Sequence, residues 1–483
     1  MHDSDDEGSV SRRRALQGLG AAALTPLVPG CAVPSQDDDD ATTSTPPEAT
    51  WALLRERIDT VVILMMENRS FDHYMGALTL HEGRDDVDGL RPGMSNPHPD
   101  GFDVPPVPSE TPCEGGVGVG WNGSREQWNE GANDGFVSKA ADGEDASRHD
   151  RAMRYFDRST LSAYYNLADR YTLCDRWFAS VMSSTWPNRF YSHAAQNGGV
   201  QGNDHAAEPF PSIYTRLNET GVDWACYYSN LPALALLPDR TVAEENFQGI
   251  EEFFRQAEFG FLPPVCVVEP VWGRSSDHPD EHPVNGQIFV QTIYDALANS
   301  PQWDRSLLLI TYDEHGGFFD HVPPPEVPDD RADQGFGQLG FRVPSLVVGP
   351  WARPGAVCST QFEHTSILAF LEGLHDLPPL TLRDASANDL RDCLDPEALV
   401  ADTPLPGEPL PAIEWPAEDL ERPECASGDL FRDEGGASGT NQDELDAFAD
   451  EFLVGTRLDR RDQTDAIHEA LMERARARGL WIG

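Results

Sequence analysis

Thr60-Val61-Val62-Ile63-Leu64-Met65-Met66 is a run of apolar residues behind one threonine, and it ends abruptly at Glu67-Asn68-Arg69-Ser70-Phe71-Asp72-His73-Tyr74. A strand with one wet face alternates apolar and polar residues. A continuous run marks a strand covered on both faces, as at the centre of a parallel sheet. Val265–Val268, Ser306–Thr311 and Ser345–Val348 read the same way, and helical patterns over 287–298 and 365–374 lie between or after them. Strands alternating with helices predict βαβ units and an α/β fold with a central, mostly parallel sheet flanked by helices.

Open α/β sheets bind ligands outside the carboxyl ends of their strands, so polar islands following buried strands carry first weight. Glu67 and Asn68 supply hard oxygen donors of the kind that suit a divalent cation. Thr185-Trp186-Pro187-Asn188-Arg189 offers a hydroxyl that a nearby metal would activate, with Asn188 and Arg189 as candidates to hold phosphoryl oxygens. Asp277-His278-Pro279-Asp280-Glu281-His282 crowds histidines and acids into one loop. Each of these, taken alone, also reads as a helix start, a capping turn or a solvated loop. Tyr312-Asp313-Glu314-His315-Gly316-Gly317 is harder to dismiss, because paired carboxylates at the end of a buried strand are costly unless a cation neutralises them.

Met66 to Gly76 resembles the opening signature of the phosphoesterase family that holds bacterial phospholipases C and an acid phosphatase. Asn133–Val137, Thr185–Arg189, Tyr312–Gly317 with Asp320-His321-Val322, Arg342-Val343-Pro344 and His364-Thr365-Ser366 continue the likeness in order, from about Asp59 to Leu374. The resemblance implies an alkaline-phosphatase-like fold and a divalent metal ion held by Glu67, Asn68, Asp313 and Glu314. It implies Thr185 as nucleophile and a histidine near the phosphate, His278 or its competitor His282. One region departs from the pattern: where relatives carry histidines, this chain has Val119 and Arg125, which leaves that role to Arg125, to another histidine or to nothing. The implied chemistry is double displacement through a phospho-threonine, with Arg189 meeting phosphoryl charge and His278, His282 or His315 protonating the leaving group. Phospholipase C is the leading substrate reading, with acid phosphatase or a general phosphodiesterase as alternatives. A non-catalytic surface lipoprotein is the rival from another class. A sulfatase is disfavoured because the chain lacks a Cys-x-Pro-x-Arg segment.

The 483 residues, 39% of them hydrophobic, can bury one large core. With 82 acidic against 35 basic residues the formal charge is −47, which disfavours nucleic acid and anionic membranes as partners. Lys139 is the only lysine, a balance that would suit a salty habitat, where ions screen self-repulsion.

Residues 1–31 read as an export signal: Ser11-Arg12-Arg13-Arg14 resembles a twin-arginine cluster, followed by a short apolar run. Leu27 to Cys31 resembles a lipobox, so a lipidated Cys31 would attach the chain to a membrane outside the cytoplasm. Residues 32–50, with Asp37-Asp38-Asp39-Asp40, predict an acidic tether. The phosphoesterase domain is expected over 51–400, with an insertion from about Gly83 to Gly123 above the active face. A Pro-rich linker and a small helical extension without chemistry of its own follow over 401–483. With Cys31 lipidated, Cys113, Cys174, Cys226, Cys266, Cys358, Cys393 and Cys425 remain, an odd set that leaves at least one thiol free.

Overall fold

In the computed structural model, Thr60–Met66 (β1) lies inside an eight-stranded sheet with all of its residues buried. The structure describes residues 48–113, 115–142, 146–279, 281–420 and 441–483. The export signal, Cys31, nearly all of the tether, Asp280 and Cys425 lie outside the described residues. The other strands, in chain order, are Thr172–Cys174 (β2), Trp224–Tyr228 (β3), Phe247–Gly249 (β4), Val265–Val268 (β5), Ser306–Tyr312 (β6), Ser345–Val348 (β7) and Val357–Cys358 (β8). Their order across the sheet is β8-β2-β7-β6-β1-β5-β3-β4. Strand β1 pairs in parallel with β5 and β6, β3 continues that direction, and β7 runs antiparallel between β6 and β2.

Every peptide group of a central strand finds a ladder partner, while its side chains leave water on both faces. Burying each Val, Leu, Ile or Met in this way contributes about 1.5–3 kcal/mol. The flanking helices used below are Phe71–Met75 (α1), Trp121–Trp128 (α2), Thr185–Ala194 (α3), Ile250–Phe259 (α4), Pro283–Ala298 (α5), Thr365–His375 (α6), Asn441–Phe448 (α7) and Thr464–Ala477 (α8). Helix α5 packs against α4 and α8, and α3 packs against α6. No described helix is long and apolar enough to cross a membrane.

The expected insertion is not a bare loop: Asn96–Pro97 pairs with Asp103–Val104 inside it, Val107–Pro108 pairs with Arg154–Tyr155 beyond it, and α2 begins at its end. The extension packs on the body: Ile413–Glu414 (β9) pairs with Trp481–Ile482 (β10), and Arg478 bonds Asp295 of α5 at 2.8 Å. Gln463 holds the N-cap position of α8, and the Thr464 hydroxyl donates to Arg461 O. Cys174, Cys226, Cys266, Cys358 and Cys393 are buried free thiols, whereas Cys113 is disulfide-bonded.

A buried charge cluster ties β1's following turn to the entry of β7. Arg342, fully buried, bonds Asp320 at 2.9 Å and Asp72 at 3.1 Å, and donates to the carbonyls of Asp88 and Asp175. His321 bridges Asp72 (2.6 Å) and Asp88 (3.1 Å). Burial alone would lower the His321 pKa, but the Asp72 carboxylate and the hydrogen bonds to Asp72 and Asp88 outweigh it and raise it to about 10. A group with a raised folded-state pKa contributes stability in full below its unfolded value and loses it as pH climbs through the folded one. In denaturant titrations the stability advantage of the wild-type chain over a His321→Gln variant should therefore shrink between about pH 6.5 and pH 10. Arg342→Met leaves buried carboxylates uncompensated and should cost about 3–5 kcal/mol at neutral pH in the same measurement; a loss below about 1 kcal/mol would show that the cluster does not hold this junction.

Candidate active site

At the carboxyl end of β1 the chain must leave the sheet at once, and Asn68 does so by taking a left-handed conformation with φ of 62°, which Asn tolerates better than most residues. Ser70 then caps α1, its hydroxyl accepting from His73 N at 3.2 Å and donating to Phe319 O at 2.8 Å. The neighbouring strand β6 is followed at once by Asp313 and Glu314. Asp313 Oδ1 accepts from Asn68 N (3.0 Å) and Glu314 N (2.7 Å), which locks the two strand ends together. Gly316, at φ of 65°, lets the backbones touch: a Cβ there would sit 2.1 Å from Asn68 O.

Thr185 enters from α3. Its Oγ1 donates to Glu67 Oε1 at 3.3 Å, with both side chains buried. Asn188 folds back over the preceding loop, accepting from Val181 N and donating to Ser183 O and Ser184 O. Arg189 lies one turn beyond Thr185 on the same helix face. It bonds Asp313 Oδ2 (3.2 Å) and Met66 O (3.1 Å), and its guanidinium stacks over Trp272 at 4.7 Å. The side chains proposed to grip phosphoryl oxygens are thus engaged within the protein: Asn188 shapes the nucleophile loop, and Arg189 bolts α3 to the strand ends. At the first turn of α3 the Trp186 amide is taken by Asn203 Oδ1 at 2.8 Å and Pro187 has no N–H, so what the helix start offers a phosphate group is chiefly the positive end of its dipole.

His278 acts electrostatically on both Glu67 and Glu314. Its loop is held by Arg69, which donates to Asp277 O (2.7 Å) and His278 O (3.4 Å), and by Glu281, whose carboxylate accepts from Ser276 N and Oγ at 2.6 Å. His282 faces elsewhere. It caps α5, accepting from Val284 N at 3.2 Å, and its ring meets Trp415 edge-on in a cavity shared with His468 and Trp481. His315 is buried, and burial lowers its pKa to about 3. Its Nε2 lies 2.7 Å from Gln127 Oε1, so the neutral ring donates there and holds no proton for a leaving group. The structure therefore brings Glu67, Asn68, Asp313, Glu314, Thr185, Arg189 and His278 together and leaves His282 aside.

Arg125, offered as a stand-in for a phosphate-side histidine, is engaged within the protein. It lies flat on Trp121, 3.3 Å from the ring centre, and donates to Met182 O and Gly335 O, bracing the loop ahead of Thr185. Val119 is half-buried in the segment before α2. Arg69 is the residue sequence reasoning passed over. It stands inside the first island, and an arginine between a strand end and a helix cap carries no mark of the long-range bond it makes.

The electrostatics are demanding. Burial raises the Glu67 pKa to about 7; His278 and Arg189 pull against this, and the charges of Asp313 and Glu314 add to it. Burial and Asp313 likewise push Glu314 well above the usual carboxylate range. Glu314 Oε2 accepts from Gly316 N at 2.7 Å, while Oε1 is buried without a hydrogen-bond partner. Among the described residues no three His, Cys, Asp or Glu side chains already form a metal-ligand cluster; Asp313 is turned onto amides and Arg189. The donor chemistry nevertheless fits a hard divalent cation, because all the candidate ligands are oxygens and one buried acceptor lacks a partner.

Residues 58–378 match the model of the phosphoesterase family. Non-specific phospholipase C1 of Arabidopsis thaliana is 36% identical over 374 residues, covering 68% of this chain and 69% of that protein. Phospholipase C B of Mycobacterium tuberculosis (strain ATCC 25618 / H37Rv) is 31% identical over 408 residues, covering 69% and 77%. Among solved structures, a protein in the alkaline phosphatase superfamily from Vibrio parahaemolyticus aligns with a TM-score of 0.36 and 12% identity, over 68% of this chain and 70% of that one.

Gly316→Ala forces Asn68 O to move and strains a left-handed turn, at a cost of about 1–3 kcal/mol for the backbone conformation alone. It should lower phosphoester turnover at least ~10-fold, since small misplacements in a preorganised site are costly, while the variant remains folded by circular dichroism. Unchanged kcat would show that the Asn68–Gly316 approach does not set the site.

Proposed function

The chain belongs to the phosphoesterase family and is a hydrolase acting on phosphoric ester bonds, and from that premise we propose a phospholipase C type of reaction that passes through a phospho-threonine on Thr185. The observation that carries this reading is the Thr185 hydroxyl, 3.3 Å from Glu67 Oε1 at the first turn of a buried helix, facing a cluster of oxygen donors. Glu67, Asn68, Asp313 and Glu314 would hold a divalent cation. Such an ion supplies Lewis-acid charge that acidifies a hydroxyl and offsets negative charge on phosphoryl oxygens.

The chain's own groups do the rest. Thr185 Oγ passes its proton to the Glu67 carboxylate it already bonds and attacks phosphorus, and the bond from phosphorus to the alcohol oxygen breaks. The positive end of the α3 dipole faces the charge that accumulates on the phosphoryl oxygens. His278, half-buried beside Glu67 and Glu314, gives its proton to the departing alkoxide. In its neutral form it then takes a proton from the water that cleaves the phospho-threonine, so the same imidazole serves both half-reactions. Arg189 and Arg69 act at one remove, holding α3 and the His278 loop in register with the strand ends.

The phospholipase names of the relatives and the charge pattern support a lipid phosphodiester with a zwitterionic head group as substrate. Export, with attachment through Cys31, belongs to the same proposal and rests on the arginine cluster and the apolar run before that cysteine.

Thr185→Ala should lower turnover by at least ~10³-fold, as loss of a covalent nucleophile does in other hydrolases, without changing the metal content of the purified protein. Full activity in that variant would refute the nucleophile. Diacylglycerol released from phosphatidylcholine, compared with phosphate released from a simple monoester, decides between phospholipase and phosphatase.

A further inference from the structure

The extension carries an apolar tip on the same end of the sheet as the candidate active site. Phe452 and Val454 are 51% and 63% exposed, although Leu453 between them is buried at 6%. They stand on a firm turn: Val454 N donates to Ala449 O, Thr456 N and Oγ1 both donate to Leu453 O, and Gly455 takes φ of 80°. That turn is pinned to the carboxyl end of β3, since Tyr228 Oη donates to Arg457 O at 2.8 Å and Arg460 N donates to Asn230 O at 3.0 Å. Strands β3, β5, β1 and β6 run parallel, so Tyr228 and Glu67 share one end of the sheet. An aromatic path closes the distance: Phe452 meets His205 at 5.1 Å, and His205 meets Trp186, the neighbour of Thr185, at 5.5 Å.

We propose that Phe452 and Val454 form an interfacial anchor that enters a zwitterionic phospholipid surface and brings the mouth of the site to its substrate. This rests on the phospholipase reading above. A pair of side chains on a tight turn is too small for a stable protein interface, which needs about 1,000 Å² or more of buried surface, but it suits insertion among acyl chains, where exposed apolar side chains leave water one by one. The charges beside the tip stay negative: Arg457 is matched by Glu244 at 2.8 Å, Arg461 serves Asp450, Asp459 and Asp446 together, and exposed Glu451 adjoins Phe452. The chain's formal charge of −47 turns it away from anionic lipid and leaves a zwitterionic surface as the fitting partner. A second exposed pair, Phe259 and Phe261 at 58% and 71%, lies where α4 leads into the amino end of β5, at the opposite end of the sheet from Glu67, and serves as the control.

The test uses the full chain with Cys31→Ser in every arm, so that no attached lipid contributes. Sedimentation with phosphatidylcholine vesicles and hydrolysis of those vesicles are compared with hydrolysis of soluble p-nitrophenyl phosphorylcholine. Phe452→Ser with Val454→Ser should weaken vesicle binding and vesicle hydrolysis at least ~10-fold and leave the soluble ester unchanged. Phe259→Ser with Phe261→Ser should alter none of these. Undiminished vesicle binding in the first variant overturns the anchor, as expected if the tip receives a protein instead. An equal loss on the soluble ester also overturns it, by revealing a merely structural role, and so does a loss of binding confined to the control pair. A wild-type chain that binds vesicles and hydrolyses none refutes the phospholipase reading instead, and sedimentation still decides the anchor.

Discussion

Three carboxylates, Glu67, Asp313 and Glu314, are buried side by side where two parallel strands end, and much of the surrounding structure answers that one electrostatic problem. Like charges in a low-dielectric interior repel strongly and have lost their water. The chain offsets this with Arg189 on Asp313, backbone amides on Asp313 and Glu314, and the imidazole of His278. Without those offsets, Glu67 and Glu314, already raised by burial, would be harder still to ionise. The same concentration of negative oxygen, one atom of it without a partner, is what makes the place suitable for a cation and for the phosphoryl chemistry that follows.

Each offsetting group belongs to a different part of the chain. Helix α3 brings Thr185 and Arg189 as a unit one helical turn apart, so the residue that braces the site and the residue proposed to react share a rigid support. Arg69 and Glu281 clamp the His278 loop from opposite sides. The Arg342 cluster lies just behind, joining α1 to the Asp320-His321 segment and the entry of β7. A constraint that is local in space is therefore distributed through most of the sequence, which is why its motifs are spread from Glu67 to Arg342.

The central sheet was legible because its strands are long enough for continuous burial to register: Thr60–Met66, Val265–Val268 and Ser345–Val348 have the expected bounds. Thr172–Cys174, Phe247–Gly249 and Val357–Cys358 were not, since two or three residues carry no period. Trp224–Tyr228 was missed because its aromatic pattern does not separate strand from helix. In the site, the oxygen donors and Thr185 could be named from their motifs, but their partners could not. Asn188 and Arg189 looked like phosphate ligands by residue type, and only the fold shows their hydrogen bonds spent inward. His278 and His282 sit in like His-Pro settings; the start of α5 turns one toward Glu67 and the other toward Trp415.

The pairing of β1 has a consequence for how the molecule is made. Val61 finds its neighbours in Val265 and Leu307, so the first long strand to leave the ribosome waits for most of the chain before either edge is covered. Such contacts between distant sequence positions slow folding and expose apolar, unpaired strand in the meantime. The interval between synthesis of Met66 and that of Tyr312 is therefore the period of greatest aggregation hazard, when a chaperone that shields strand edges would protect the nascent chain most.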